Sequence, residues 1–322
     1  MTRLLIISLL LLPLYVQAEI FDVTSPPFSA TADDASDDTS AIQAAVDALP
    51  FRGGTIFFPS GVYDISSCIT LKKGTRLLGE PGSVIRANAS MEAMVNLETS
   101  NIVSSINVEF ITFSGGASSG HIVEWALDLR NMIGSRISGV SICDTSGGGI
   151  RIWMSSADRV AWTNFIVDTD ITVVPGGDYG LRLNGSDSYI NNVVVDGGKG
   201  IVNDGVGGNI YMNCRITNSS RSGIEVVDPN HLNQTVSIVN CEFRDNFNYG
   251  ISFVYKSFHH VAATVSDCDF SGNRLGDVYL QNAGYISLFG NQFNTDNPAS
   301  GHNIRFRLSC DYISVVGNHF AN

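Results

Sequence analysis

The sequence predicts an all-β fold of one kind, a single-stranded parallel β-helix in which the chain winds into stacked coils. Three observations predict it. A short apolar phrase ending in a large residue recurs about every 20 to 30 residues through the C-terminal two thirds, the signature of a repeat architecture. It is plainest in Ile238-Val239-Asn240-Cys241-Glu242-Phe243, Val265-Ser266-Asp267-Cys268-Asp269-Phe270 and Val315-Val316-Gly317-Asn318-His319-Phe320. A second phrase, opening Gly-Ile or Gly-Leu, follows after a turn. It reads Gly149-Ile150-Arg151-Ile152, Gly180-Leu181-Arg182-Leu183, Gly200-Ile201, Gly223-Ile224-Glu225-Val226 and Gly250-Ile251-Ser252-Phe253, with looser copies at Asp277-Val278-Tyr279-Leu280 and Asn303-Ile304-Arg305-Phe306. Both phrases alternate apolar and polar residues between Gly, Asn, Asp or Ser, the pattern of half-buried strands bounded by turns.

Such a unit cannot bury its apolar face alone, so it stacks on copies of itself at one strand spacing, about 4.8 Å per coil. Stacking turns repeated positions into columns. The end of the first phrase is held by Phe113, Ile142, Val167, Val195, Ile216, Phe243, Phe270, Phe293 and Phe320. Cys214, Cys241 and Cys268 share another register, which Asn291 and Asn318 continue. Stacked inward asparagines can hydrogen-bond along the axis and so satisfy amides whose burial would otherwise cost about 1–3 kcal/mol each. Leucine-rich repeats need a leucine consensus that is absent, and propeller blades need four antiparallel strands per repeat of about 40 residues.

At 322 residues, 44% hydrophobic and 16% charged, the composition is that of an ordered domain with a large core. Residues 1–18 combine Arg3, an apolar run from Leu4 to Leu12 and a small-residue cleavage pattern at Val16-Gln17-Ala18. This is the form of a signal peptide. The expectation is a secreted or periplasmic protein whose residues 19–322 form a single domain. A net charge of −12 argues against nucleic acid and anionic membranes as partners. An anionic sugar stays open, because local arginines or a bound calcium ion can reverse the potential in one groove. Cys214, Cys241 and Cys268 read as small core residues in one column, and no cysteine or histidine spacing suggests zinc.

One helix is expected, at about 39–49. Asp37 and Asp38 oppose the dipole at its start, Ser40 and Gln43 have capping-box spacing, and Pro50 stops it. Its apolar face is Ile42, Ala45, Val46 and Leu49, suited to closing the open end of the coil stack, where strand edges would otherwise invite aggregation.

Asp37-Asp38-Thr39-Ser40-Ala41-Ile42-Gln43-Ala44-Ala45, then Gly53-Gly54-Thr55-Ile56-Phe57-Phe58-Pro59-Ser60-Gly61-Val62-Tyr63, then Leu77-Leu78-Gly79, resemble the pectate lyase-like superfamily of right-handed parallel β-helix proteins. The resemblance implies a right-handed coil and a polysaccharide as partner. It does not choose among polysaccharide lyases, polygalacturonase-like hydrolases, alginate epimerases and tailspikes. The polygalacturonase elements Asn-Thr-Asp, Asp-Asp and Gly-His-Gly are not intact here, and the Asp-Pro-His of alginate epimerases is missing.

In that superfamily the Gly-Ile strands floor the sugar groove, so their outward residues are the candidates. The residue after Gly-Ile reads Arg151, Arg182, Val202, Glu225, Ser252, Tyr279 and Arg305; two positions on it reads Trp153, Asn184, Asp204, Val227, Val254, Gln281 and Arg307. Arg151, Trp153, Asp178, Tyr179 and Asn184 are candidates for substrate binding, since guanidinium forks suit carboxylates and aromatic rings suit sugar faces. Arg182, Lys199, Asp204, Glu225, Asp228, Tyr249 and Lys256 are candidates for catalysis. Elimination or C5 epimerisation of a uronate needs a neutraliser, a base and often a tyrosine acid, which Arg, Lys and Tyr would supply. Hydrolysis would instead use paired carboxylates among Asp204, Glu225 and Asp228, a group that would also suit calcium. A non-catalytic glycan-binding protein is the remaining reading, because fold alone does not decide function.

Overall fold

The protein is described by a computed structural model covering residues 19–97, 103–153, 162–205, 207–227, 234–294, 299 and 301–321. Every paired strand runs parallel to its partner one coil away. A regular coil carries three strands, as in Ile224–Val227, Gln234–Val239 and Glu242–Arg244. These pair in register with Ile251–Val254, residues 261–266 and Asp269–Ser271 of the next coil. The fold is thus the parallel β-solenoid that the two phrases predict.

The bend inside the first phrase explains the Asn, Asp or Gly that most copies carry there, Phe110 being an exception. Asp168, Asn192, Asn213, Asn240 and Asp267 all have φ between 50° and 55° there, and Gly290 and Gly317 take over in the last coils. Asn, Asp and Gly tolerate this left-handed conformation best. Outside the bend their amides link coil to coil, Asn240 Nδ2 donating to Asn213 Oδ1 at 2.7 Å and Asn213 Nδ2 to Asn191 Oδ1 at 2.9 Å.

The glycine of Gly-Ile is there for space. A Cβ on Gly223 would lie 2.7 Å from the Gly250 carbonyl oxygen and 2.8 Å from the Phe243 ring, and one on Gly250 would lie 2.5 Å from Phe270. The two phrases are therefore coupled: the bulk that ends one requires the glycine that opens the next.

Inside, Phe243, Phe270, Phe293 and Phe320 stack with ring centroids 5.0, 5.1 and 4.9 Å apart. Toward the N-terminus the same column passes through Ile216, Val195, Ile171, Ile142 and Phe113. Ile171, not Val167, holds that rung. The bend of this coil falls at Asp168, so Val167 lies on the preceding face, opposite Asn191. The cysteine column is buried and its thiols are free. Asn291 Oδ1 accepts from the Cys268 backbone N–H at 3.0 Å, and Asn291 Nδ2 donates to Asn318 Oδ1 at 2.9 Å, as the inward asparagine ladder requires. A second ladder, Ser219–Asn246–Asn273, runs through the same core.

The helix spans Thr39–Ala48 with Ile42, Ala45 and Val46 fully buried. The capping box does not form. Asp38 occupies the N-cap position without a side-chain cap, its carboxylate accepting instead from the Thr31 backbone N–H at 2.8 Å. Gln43 turns to the solenoid, where its amide accepts from Thr70 N at 2.9 Å and donates to Thr70 O at 3.1 Å. A glutamine that meets the unpaired backbone of a strand edge satisfies two polar groups at once, and that outcompetes reaching back to its own helix start.

Candidate functional site

The outward residues of the Gly-Ile strands form one continuous column. Pairwise register runs Thr70, Asn96, Asp128, Arg151, Arg182, Val202, Glu225, Ser252, Tyr279, Arg305. The sequence placed this column correctly from Arg151 onward. Its charged members, however, sit in quite different surroundings.

Arg151 and Trp153 belong to a buried knot around Asp128, a residue the phrase pattern did not expose. Asp128 accepts from Arg151 Nε at 2.8 Å and NH2 at 2.6 Å, from Arg130 at 3.0 and 2.9 Å, and from Trp153 Nε1 at 3.0 Å. The Arg151 guanidinium also lies 5.0 and 5.1 Å from the Trp125 and Trp153 ring centroids. Burial alone would raise the Asp128 carboxyl, but the hydrogen bonds and charges of Arg151 and Arg130 outweigh it and hold the group below its ordinary range. Arg151 and Trp153 are both candidates for sugar contact, and both hydrogen-bond this carboxylate.

Arg182, one coil on, is held by Asp204, whose Oδ2 takes its Nε at 3.1 Å and NH2 at 2.7 Å. Asn184 Nδ2 donates to the Asp204 backbone carbonyl at 3.0 Å. The other carboxylate oxygen, Oδ1, is buried without a hydrogen-bond partner among the described residues.

A second polar cluster gathers around Tyr179 and Glu225. The Tyr179 hydroxyl donates to Glu225 Oε2 at 2.8 Å, while Arg221 NH1 donates to the same hydroxyl at 2.8 Å and to Glu225 Oε2 at 3.1 Å. Lys199 bonds Asp178 at 2.9 Å and lies 5.6 Å from the Tyr179 ring centroid. Burial and the neighbouring Glu225 charge push the Tyr179 phenol well above its ordinary range, against a smaller opposing pull from Arg221. Tyr179 is thus kept protonated, with its proton aimed at a carboxylate. Arg221 escaped the sequence reading because it sits in the turn before Gly223; its spacing of four from Glu225 is the only signal it gave.

Asp204 and Glu225 do not form a carboxylate pair. Glu225 stands opposite Val202, and Asp204 lies two residues further along its strand, so each carboxylate has its own cation. Asp228 lies outside the described residues. Among the described residues no three His, Cys, Asp or Glu side chains gather where they could share a metal ion.

Toward the C-terminus, Tyr249 and Tyr279 stack with centroids 4.8 Å apart and an interplanar angle of 13°. Tyr249 is buried, and Arg305 NH1 reaches its hydroxyl at 3.4 Å. Tyr279 donates to Gln281 Oε1 at 2.7 Å, and Lys256 is exposed. Of these two catalytic candidates, Tyr249 lies one coil from the Tyr179 cluster, its backbone carbonyl accepting from Gly223 N at 2.9 Å, and Lys256 lies four residues past Ser252 on the same strand.

Comparison with known proteins adds a family to this geometry. In the curated proteins, 39% identity over 66 residues, 18% of this chain, links it to mannuronan C5-epimerase AlgE2 of Azotobacter vinelandii, of which the match covers 7%. A similar match, 39% over 61 residues and 19% of this chain, is to 8% of a glucan 1,3-beta-glucosidase of Cochliobolus carbonum. The chain therefore spans less than a tenth of the length of these relatives. Among solved structures, the A-module of mannuronan C-5 epimerase AlgE6 from Azotobacter vinelandii superposes with a TM-score of 0.74 at 18% identity, over 94% of this chain and 99% of that one. That likeness concerns the fold. The family described as "Rhamnogalacturonase A/epimerase, pectate lyase-like" matches residues 23–225, more than half of the sequence, and the chain belongs to that family.

Proposed function

We propose that this chain is an exported enzyme that acts on a uronate-containing polysaccharide by elimination or C5 epimerisation, with its chemistry at the Tyr179–Glu225–Arg221 cluster. The observation that carries the reading is the Tyr179 hydroxyl, held between a carboxylate and a guanidinium in the sheet that floors the groove of related folds. Both reactions begin with loss of the proton at C5, made acidic by the adjacent carboxyl group. Glu225 accepts both its hydrogen bonds on Oε2, which leaves Oε1 to take that proton. Tyr179, kept protonated, returns a proton or delivers one to the leaving oxygen. Arg221 and Lys199 supply positive charge beside the substrate carboxylate as negative charge develops there.

A mannuronan epimerase among the relatives, and an epimerase module with the same fold, support a uronate substrate. Hydrolysis is disfavoured by the separate engagement of Asp204 and Glu225. Export rests on the leader-like residues 1–18, and the reading includes a right-handed coil whose N-terminal end is covered by the Thr39–Ala48 helix. Incubation of residues 19–322 with a panel of polyuronates, followed by absorbance of unsaturated ends and by NMR of C5 configuration, tests it. Turnover that Tyr179→Phe and Glu225→Gln abolish is the expected result. Silence on every polymer overturns the assignment.

A further inference from the structure

The sheet that precedes the left-handed bend, in which Gln234–Val239 is one strand, takes no part in the site described above. Its strands alternate. Ile166, Ile190, Tyr211, Ile238, Val265 and Leu288 are buried in the core, so the residues on either side of each point outward. Register sets those outward residues in two columns. One runs Phe165, Tyr189, Ile210, Ser237, Thr264, Ser287, and the other runs Val167, Asn191, Met212, Val239, Ser266, Phe289. Gly208, Thr235 and Ala262 begin a third. None of these positions holds a charged residue.

That neutrality is local. In earlier coils the same columns hold Arg76, Glu109 and Arg136, and across the bend the neighbouring sheet presents Asp170, Asp196, Arg215, Glu242, Arg244 and Asp269. Acids return at the margins of the face, Asp168 and Asp267 at the bend and Asp187 at the other edge. Within it the exposed groups are largely apolar. Phe165 is 40% and Phe289 44% exposed, the Phe165 and Tyr189 rings lie 6.2 Å apart, and the Tyr189 hydroxyl donates to Met212 Sδ at 3.6 Å. Phe165, Tyr189, Ile210, Met212 and Val239 therefore adjoin one another from coil to coil. On a chain of net charge −12 this matters for self-contact. In a two-fold contact a surface meets its own copy, so a face of one sign repels itself and a neutral face does not. Six coils at about 4.8 Å, with strands about 20 Å long, give about 600 Å² per copy and about 1,200 Å² for a pair, the lower end of specific interfaces.

We propose that this face is the docking surface for a second copy of the chain, in a two-fold dimer whose axis passes between the Met212 and Val239 rungs. Phe165 of each copy then lies over the Phe289 end of the other. The apolar side chains leave water on both sides at once, and the acids at the margins stay solvated at the rim. The Tyr179 cluster lies on a different sheet, so both copies keep the Gly-Ile face open.

Sedimentation equilibrium of residues 19–322 at about 50 µM tests it. The expected result is twice the monomer mass, with a dimer that tightens as salt rises, because repulsion between two like-charged copies is screened. Ser237→Glu replaces a half-buried polar residue and removes no apolar contact within a copy, yet it puts two like charges near the axis. It should raise the dissociation constant at least about tenfold, with the circular dichroism of the folded protein retained. Ile210→Glu/Met212→Glu should leave only monomer. Ser271→Glu, on the sheet across the bend, should dimerise as wild type does. A monomeric wild type overturns the proposal, whether the face then takes a glycan or an unrelated protein. A dimer that survives both Ser237→Glu and the double variant, or one that Ser271→Glu breaks, overturns it as well.

Discussion

The Asp128 knot and the Arg305 stretch occupy the same outward column, seven coils apart in register, and set the same residue types in different surroundings. At the first, two guanidinium groups and an indole converge on a carboxylate whose side chain is 2% exposed. At the second, Arg305 NH1 reaches the hydroxyl of Tyr249 in a tyrosine stack, and Arg305, Arg307 and Lys256 are exposed. A repeat delivers a side chain to a face. Whether that side chain becomes a structural tie depends on which neighbours meet its charge.

The largest expected effect is at the knot. Asp128→Ala leaves Arg130 and Arg151 partly buried without their acid, and unfolding by urea should show a loss of about 3–5 kcal/mol. The wild-type contribution has a definite pH sense. The folded-state Asp128 group titrates below its ordinary value of 3.8, so its contribution is complete above that value and disappears as pH falls through the lowered one. Urea midpoints of wild type should therefore fall more steeply than those of Asp128→Asn in acid, and parallel curves would show that the knot carries no such linkage. Tyr179→Phe comes next: turnover should drop about 10²- to 10⁴-fold, with unfolding free energy changed by no more than about 1 kcal/mol.

Between the two regions, Arg182 and Asp204 offer an intermediate case, because Arg182 is 40% exposed and its acid is buried. A double-mutant cycle with Arg182→Gln and Asp204→Asn should give a coupling of about 1 kcal/mol, less than the knot and more than an exposed pair. The smallest expected effect is on stability at Arg305→Gln, within about 0.5 kcal/mol by thermal unfolding.

The columns were legible in the sequence because stacking preserves register and period-2 alternation preserves facing. The Gly-Ile glycines marked one face; the left-handed Asn or Asp of the bend is seen only in the structure. Without the bend the column slipped in one coil: Asp168 is its bend, so Ile171 and not Val167 ends the phrase. Asp128 was hidden because its strand, Val123–Arg130, lacks the Gly-Ile opening. Arg221 was hidden because it reaches the site from a turn, where no repeat fixes position. Above all, sequence places residues on a face without saying which neighbours consume their charge. Arg151 and Arg305 read alike in one dimension, and only side-chain geometry separates them.

The most direct test of that separation sets Arg151→Gln beside Arg305→Gln and measures the urea unfolding curve of each. Arg151→Gln should lose stability, whereas Arg305→Gln should keep it. An unchanged curve in Arg151→Gln, or a loss in Arg305→Gln as large as that in Arg151→Gln, would contradict the account.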